Sequence, residues 1–534
     1  MSSGPLAAGR LTCLVGQASW LVVFLLLASL SACNPAPRYS RPTLPAPPSY
    51  KEAPPDQYKE VAGWKIAEPG DDKIRSKWWE MYNDPRLSEL EEQVRISNQT
   101  VAVAEANFRA ARAVVVSARS ALFPTVNANP SFSNSRFAAR GAVLPGGAAG
   151  NTSGATTTGV NGSGVSALNF FSVPIDVSYT VDLWHRVRNT VAAEAYTAQA
   201  RAADVVTALL STHAELAQDY FQVRALDQER AILQETIRNY QQSLELTQSL
   251  YRAGIDSEES VAQAQTQLET TTAQATDLGA ARAQYEHAIA TLIGKPAAEF
   301  SLAAGTFAPD PPAVPVGIPS KLLERRPDIA AAERQMAAAN SQIGVAKAAY
   351  YPNLTLSASA GFESTSIAKL FTWPSRFWSV GPALAQTLFD AGARRGATEQ
   401  AQAAYDAAAA NYRQIVLTGF QTVEDNLAAL RILAQEIGEQ REAIASSQYY
   451  LDLAVTRFRA GIDSYLNVIT AQATLLSSRV TEAQIELRQM NGSVALIMAL
   501  GGGWDAGELP SVRDVSREPN RGTPASEAPA ANRP

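Results

Sequence analysis

The sequence predicts a mixed α and β membrane protein, with four strands per chain crossing a bilayer, long helices continuing from them, and an internal duplication. Three observations carry this. The stretch Arg252, Ala253, Gly254, Ile255, Asp256, Ser257 returns unchanged as Arg459, Ala460, Gly461, Ile462, Asp463, Ser464. Four runs alternate apolar and polar residues, the period of a strand with one apolar face. The stretches Thr190 to Arg252 and Ala393 to Arg459 contain no proline, and at 1.5 Å per residue each would span roughly 95 to 100 Å as a helix.

Residues 1–32 read as a lipoprotein signal peptide. A single charge, Arg10, precedes the apolar run Leu21 to Leu27, which is too short to cross a bilayer. The run ends in Leu30, Ser31, Ala32, Cys33, which resembles the bacterial lipobox. That resemblance makes Cys33 the acylated lipid anchor, palmitate among its chains, at about 0.8 kcal/mol per buried methylene. Asn34 stands where inner-membrane lipoproteins often carry Asp, favouring delivery to the outer membrane. Ordinary cleavage nearby would instead leave Cys33 as a free thiol. Residues 33–70 are crowded with proline and suit an extended tether rather than a packed element.

Residues 71–296 form the first repeat and 321–504 the second. The match extends from the paired turns through Val261 with Val468, Ala264 with Ala471, Gln265 with Gln472, Leu268 with Leu475 and Gly294 with Gly501. Upstream, Phe123, Pro124 corresponds to Tyr351, Pro352. Such a long period implies duplication of a half-molecule rather than a solenoid. After each aromatic-Pro pair comes a hairpin, at about 124–183 and about 352–389. Its strands are Val126, Ala128, Pro130, Phe132 with Phe171 to Leu183, and Leu354 to Phe362 with Trp378 to Leu384. The first hairpin's loop, 138–166, is rich in Gly, Thr and Ser, and Phe123, Phe137, Phe170, Trp184, Tyr351, Trp373 and Phe389 lie near the strand ends.

Four strands cannot close a membrane barrel, and an open edge in lipid leaves backbone groups unpaired. The chain must therefore oligomerise, as a dimer, trimer or tetramer with about 8, 12 or 16 strands. In the second long helix Val416, Phe420, Val423, Leu427, Leu430, Ala434 and Ile437 form a coiled-coil seam, echoed in the first by Leu226, Leu233, Ile237, Tyr240, Leu244, Thr247 and Tyr251. Shorter helical partners run from about Ser260 to Ile293 and from about Leu466 to Leu500. Residues 505–534 lack apolar periodicity and read as a disordered tail.

Composition excludes other classes. A net charge of -6 provides no basic footprint, so no nucleic acid partner is expected. Two cysteines, Cys13 and Cys33, build neither a disulfide framework nor a zinc site, and His185, His213 and His287 are too scattered for a metal motif. They read as polar residues of helices or strand ends. No nucleophile elbow or phosphate loop is present, and Gly501, Gly502, Gly503 follows a helix rather than opening one, so no enzyme and no cofactor is expected.

Lipobox, duplicated hairpin-plus-helices architecture and paired turns together resemble the outer-membrane factor family, the TolC-like proteins, in its lipidated OprM/NodT branch. The resemblance spans Cys33 to about Trp504. It implies a homotrimer with a 12-stranded transmembrane β-barrel continued by a long periplasmic α-helical barrel, and an equatorial connector at 297–320. It further implies a passive exit duct for small molecules such as drugs, supplied by an inner-membrane RND pump through a periplasmic membrane-fusion adaptor. By the same resemblance Arg252, Gly254, Asp256, Arg459, Gly461 and Asp463 form the adaptor-docking tip, and Leu466 with Thr470 the pore constriction. Thr470 stands where many relatives carry an acidic residue, so negative charge at the mouth would come from Asp463, or from Asp256 with Glu258 and Glu259. The rivals are an outer-membrane exporter of type I protein secretion and a structural lipoprotein using the coiled coil as a spacer.

Overall fold

The computed structural model describes residues 34–41, 47, 49–52, 77–135, 167–307, 309–312, 314 and 324–516. The signal peptide, Cys33, the hairpin loop 138–166 with Phe137, and the tail beyond Ser516 lie outside the described residues. The chain divides into a strand unit (Met1–Arg38, Val114–Glu194, Ala339–Ala403) and a helical unit (Tyr39–Ala113, Ala195–Ala338, Ala404–Pro534).

In the strand unit, β1 (Thr125–Ala128), β2 (Ser131–Ser135), β3 (Leu168–Val181), β4 (Asn353–Ser364) and β5 (Arg376–Ala385) form one antiparallel sheet in the order β1-β3-β4-β5, with β2 also on β3. The first expected strand is thus two segments. They share one register against β3, from Thr125 opposite Ser178 to Ser135 opposite Leu168. The ladder lapses at Pro130, which has no N–H, across from the stretch that contains Pro174.

The register collects the apolar residues on one face: Val126, Ala128 and Phe132, then Phe171, Val173, Ile175, Val177, Tyr179 and Val181, then Leu354, Leu356 and Phe362, then Trp378, Val380 and Leu384. Much of this face is bare, with Trp378 78% and Val380 73% exposed. The other face is polar, and across it Asp176 accepts from Ser359 at 2.6 Å and Asn129 at 3.1 Å. Among the described residues, β1 with β2 and β5 each pair on one side only.

Two long helices begin where aspartates cap them. In α3 (Arg186–Arg252), which follows the shorter α1 (Pro85–Ser97) and α2 (Gln99–Ser120), Asp182 accepts the N–H groups of Val187 and Arg188, both at 3.0 Å. The strands re-enter through Trp184, stacked on Tyr351 at 4.5 Å with its indole N–H on the Pro352 carbonyl. After α4 (Glu258–Leu292) and α5 (Pro327–Ala348), α6 (Ala393–Arg459) starts beside Asp390, which accepts from Gly392 and Arg394. With α7 (Tyr465–Ala499), the repeats carry 67- and 35-residue helices in the same order.

α1 and α2 are parted at Asn98, whose extended backbone lets its side chain accept the Val101 N–H and donate to the Leu292 carbonyl at 2.8 Å. The α6 seam departs from strict spacing. Leu433 is buried against Ile437 and Ile485 while Ala434 is exposed, because the larger side chain fills the groove.

The helical unit's main core joins both repeats: Leu216, Tyr220 and Phe221 of α3 meet Val423 and Leu427 of α6, with Trp78, Leu87, Leu90, Ile289 and Val494. Each such burial contributes about 1.5–3 kcal/mol. A buried charge cluster fastens the connector beside it. Asp227 accepts from Arg282 Nε at 2.7 Å and from the Gly305 N–H at 3.1 Å, while Arg282 and Arg224 donate to the Leu302 and Ala303 carbonyls.

Two regions are more ordered than expected. The described part of the tether packs as a strap: the Glu424 carboxylate accepts the N–H groups of Lys51 (2.7 Å) and Glu52 (2.9 Å), Glu52 pairs with Arg431, and Tyr50 is buried. The tail expected to be disordered from Asp505 is folded through α8 (Val512–Ser516), with Val515 buried and the Pro510 carbonyl held by Gln199 at 2.8 Å. These short segments lack periodicity of their own because their partners are distant in sequence.

His213 is a core residue. Its Nδ1 lies 2.6 Å from the fully buried Glu91 carboxylate and its ring stacks on Trp79 at 4.5 Å. Burial pushes the Glu91 carboxyl well above its usual range, and burial with nearby Arg95 lowers His213 to about 4. Both shifts disfavour charge, so burial favours a protonated carboxyl hydrogen-bonded to a neutral imidazole. Glu91's raised value stabilises the fold below its ordinary pKa, and that contribution is lost as pH rises through the folded value. His213's lowered value acts oppositely, with stability lost as pH falls through about 4. Glu91→Gln, which mimics the protonated acid, should gain stability relative to wild type as pH rises from about 5 to about 9. Thermal unfolding across that range checks this, and parallel profiles would refute the neutral pair.

Candidate functional site

The paired turns are helix terminators of one geometry. After α3, Gly254 N–H donates to the Tyr251 carbonyl and Ile255 N–H to that of Leu250, both at 2.9 Å. After α6, Gly461 N–H donates to Phe458 and Ile462 N–H to Arg457, again at 2.9 Å. Gly254 and Gly461 have φ +70 and +71, the left-handed conformation that lets the chain reverse and satisfies the last carbonyls. A Cβ at either would meet nothing within 4 Å, so the requirement lies in the backbone and not in space.

The structure brings the turns together around an open cleft of about 360 Å³, lined by Asp256, Arg459, Gly461, Asp463 and Leu466 with Glu259 and Tyr465. Arg252, Gly254 and Thr470 do not line it. Arg252 Nε donates to the Gln248 carbonyl of its own helix. Thr470 is exposed one turn beyond Leu466, and its hydroxyl donates to the Leu466 carbonyl at 2.9 Å. Leu466 itself is 56% exposed, a large apolar side chain unsatisfied within one chain.

The identical turn sequences carry different electrostatics. Asp256 accepts the Ser257 N–H at 2.7 Å and the Ser260 hydroxyl at 2.8 Å, while Ser257 caps α4. Asp463 instead receives Arg457 Nε at 2.5 Å, and this guanidinium holds its carboxyl below the usual range. The cause is a substitution six residues upstream. Arg457 takes the place of Leu250, and Phe458, against Tyr465 at 5.3 Å, takes that of Tyr251. The sequence reading overlooked Arg457, which a comparison of the two repeats outside their identical core would have revealed. Glu258 and Glu259, replaced by Tyr465 and Leu466 in the second repeat, are exposed and form no ion pair with a described residue.

No group of three His, Cys, Asp or Glu that could hold a metal ion occurs among the described residues. No helix of the described residues is long and apolar enough to cross a membrane.

Comparison with known proteins fits this arrangement. A family profile described as outer membrane efflux protein matches residues 90–295 and 318–502. The chain is 32% identical over 480 residues to the probable efflux pump outer membrane protein TtgC of Pseudomonas putida, covering 89% of this chain and 93% of that one. It is 30% identical over 494 residues to the pyoverdine export outer membrane protein OpmQ of Pseudomonas putida, covering 91% and 98%. Among solved structures, the outer-membrane channel OprN superposes with a TM-score of 0.78 at 28% identity, covering 88% of this chain and all of that one.

Proposed function

Because the chain belongs to the outer membrane efflux protein family, we propose that it is the exit duct of a tripartite efflux system, a passive conduit for small molecules delivered by an inner-membrane RND pump through a periplasmic adaptor. The observation that carries this reading is the sheet: one face apolar and largely bare, the other polar, both edges unpaired among the described residues. In lipid such edges must close on further copies. With β5 of one chain beside β1 of the next, three copies make the 12-stranded barrel of a homotrimer, its polar face lining the lumen. The named relatives favour efflux over protein secretion. Cys33 anchors the assembly through its acyl chains, the paired turns form the mouth that meets the adaptor, and Leu466 narrows the pore.

Two measurements test this. Affinity purification from mildly cross-linked cells should recover an adaptor and a proton-driven pump, and the purified protein should conduct ions in planar bilayers. Recovery of an ATP-driven transporter, or absence of conductance, would overturn it.

The mouth's charge follows from the turn geometry. Asp463 is paired with Arg457, whereas Glu258 and Glu259 form no ion pair with a described residue. Glu258→Gln with Glu259→Gln should therefore lower single-channel cation selectivity more than Asp463→Asn does. The reverse order would place the functional charge on Asp463.

A further inference from the structure

Resting on the membrane reading above, we infer that Arg376 is a binding site for the phosphate of an anionic, acyl-chained lipid of the leaflet at its end of the sheet. The chain path places it. Strands β1 and β4 leave the ends of α2 and α5, and β3 and β5 return to α3 and α6, so the β4–β5 loop and Arg376, first residue of β5, lie at the sheet end remote from the helices. Register sets Arg376 opposite Phe362, and alternation puts it on the same face as Trp378, Val380 and Leu384. One guanidinium thus ends a column that is otherwise apolar.

A charge on the lipid face costs several kcal/mol at mid-bilayer and about nothing near the interface. Its neighbours mark the interface. Phe132 packs on Phe171 at 4.7 Å, Phe371 meets Phe362 at 5.5 Å, and Trp373 and Trp378 are exposed, an aromatic belt at headgroup depth. The guanidinium lies over the Trp373 ring and its Nε donates to the Trp373 carbonyl at 3.2 Å. No carboxylate among the described residues pairs with it, so its two terminal nitrogens keep their donors, in the fork that matches a phosphate.

The loop is built to hold still. The Lys369 carbonyl accepts the hydroxyls of both Thr372 and Ser375 at 2.7 Å, fixing the turn that carries Trp373. Lys369 is itself exposed and forms no ion pair with a described residue, adding a second positive charge to the same loop. An anionic headgroup with acyl chains satisfies both halves of the surface: phosphate on the guanidinium, chains against Trp378, Val380 and Leu384. A free anion satisfies only the first.

The test uses the full-length protein and its Arg376→Gln and Arg376→Lys variants, with diphosphoryl lipid A and its dephosphorylated counterpart as probes, bound lipid being counted by native mass spectrometry. Wild type should hold the diphosphoryl form about tenfold more tightly, the scale of a charge-assisted hydrogen bond. Arg376→Gln should abolish that discrimination, and Arg376→Lys should restore part of it. Undiminished discrimination in Arg376→Gln overturns the assignment, as does equal loss of both lipids, which would mean that Arg376 only shapes the loop. Displacement by inorganic phosphate would mark a free-anion site and likewise overturn it. Flotation with phosphatidylcholine vesicles separates the two levels: wild type that fails to float removes the membrane reading and this site with it, whereas flotation without discrimination removes this site alone.

Discussion

Replacing Asp227 with alanine is expected to destabilise the protein by about 3–5 kcal/mol, the cost of leaving buried opposite charges without their partner. Its side chain is 4% exposed, and it balances Arg282 (2.7 Å) and Arg224 (3.4 Å) while accepting the Gly305 N–H. Truncation leaves two largely buried guanidiniums that both lose their carboxylate, with Glu286, the Tyr220 ring and two backbone carbonyls among the described residues to compensate. The loss should also release the connector, because Leu302, Ala303 and Gly305 are each held by this cluster. Thermal unfolding reads the stability, and proteolysis near Leu302 reads the release. Asp227→Asn, which keeps shape and the acceptor for Gly305, should show a smaller loss, and equal losses would mean that charge balance is not the cause.

That cluster shows where the sequence stops informing. Asp227, Arg282 and Gly305 come from α3, α4 and the connector, and nothing in their spacing announces a meeting. The strap is the same case: Glu424 binds backbone N–H groups of residues 51 and 52, which any residue type could supply. The strands were legible for the opposite reason. Their two faces meet different surroundings, so a period of two had to appear in the residues themselves, and the register of β3 against β4 keeps Val173 with Phe362 and Tyr179 with Leu356.

The turns were legible through their glycines, since a left-handed helix end leaves a residue signature. Their charge state was not. Asp256 and Asp463 sit in identical hexapeptides but bond to Ser260 and Arg457 respectively, residues outside the repeated stretch. An identical motif specified an identical backbone, and its flanks decided what the carboxylates do. The buried Glu91 and His213 were hidden similarly, because a histidine's burial depends on a helix more than a hundred residues away.

The same geometry sets the second large effect. Gly254→Val with Gly461→Val is expected to abolish efflux while leaving the bulk of the fold intact. A β-branched residue at φ near +70 costs about 1–2 kcal/mol or more per site, relieved by fraying the last helical turn. That strain is local, since neither position has a neighbour within 4 Å for a Cβ to strike, so the core around Leu216 and Leu427 should unfold at close to its normal temperature. What fraying moves is the cleft where Asp256, Arg459 and Asp463 meet, the surface proposed for the adaptor. Adaptor affinity should fall by at least about tenfold, or about 1.4 kcal/mol, and drug susceptibility should approach that of cells lacking the protein. Planar-bilayer conductance of the isolated channel should persist, because the strands are untouched. Retained adaptor binding with intact efflux would remove the turns from the docking surface, whereas loss of conductance together with efflux would place the defect in assembly of the channel.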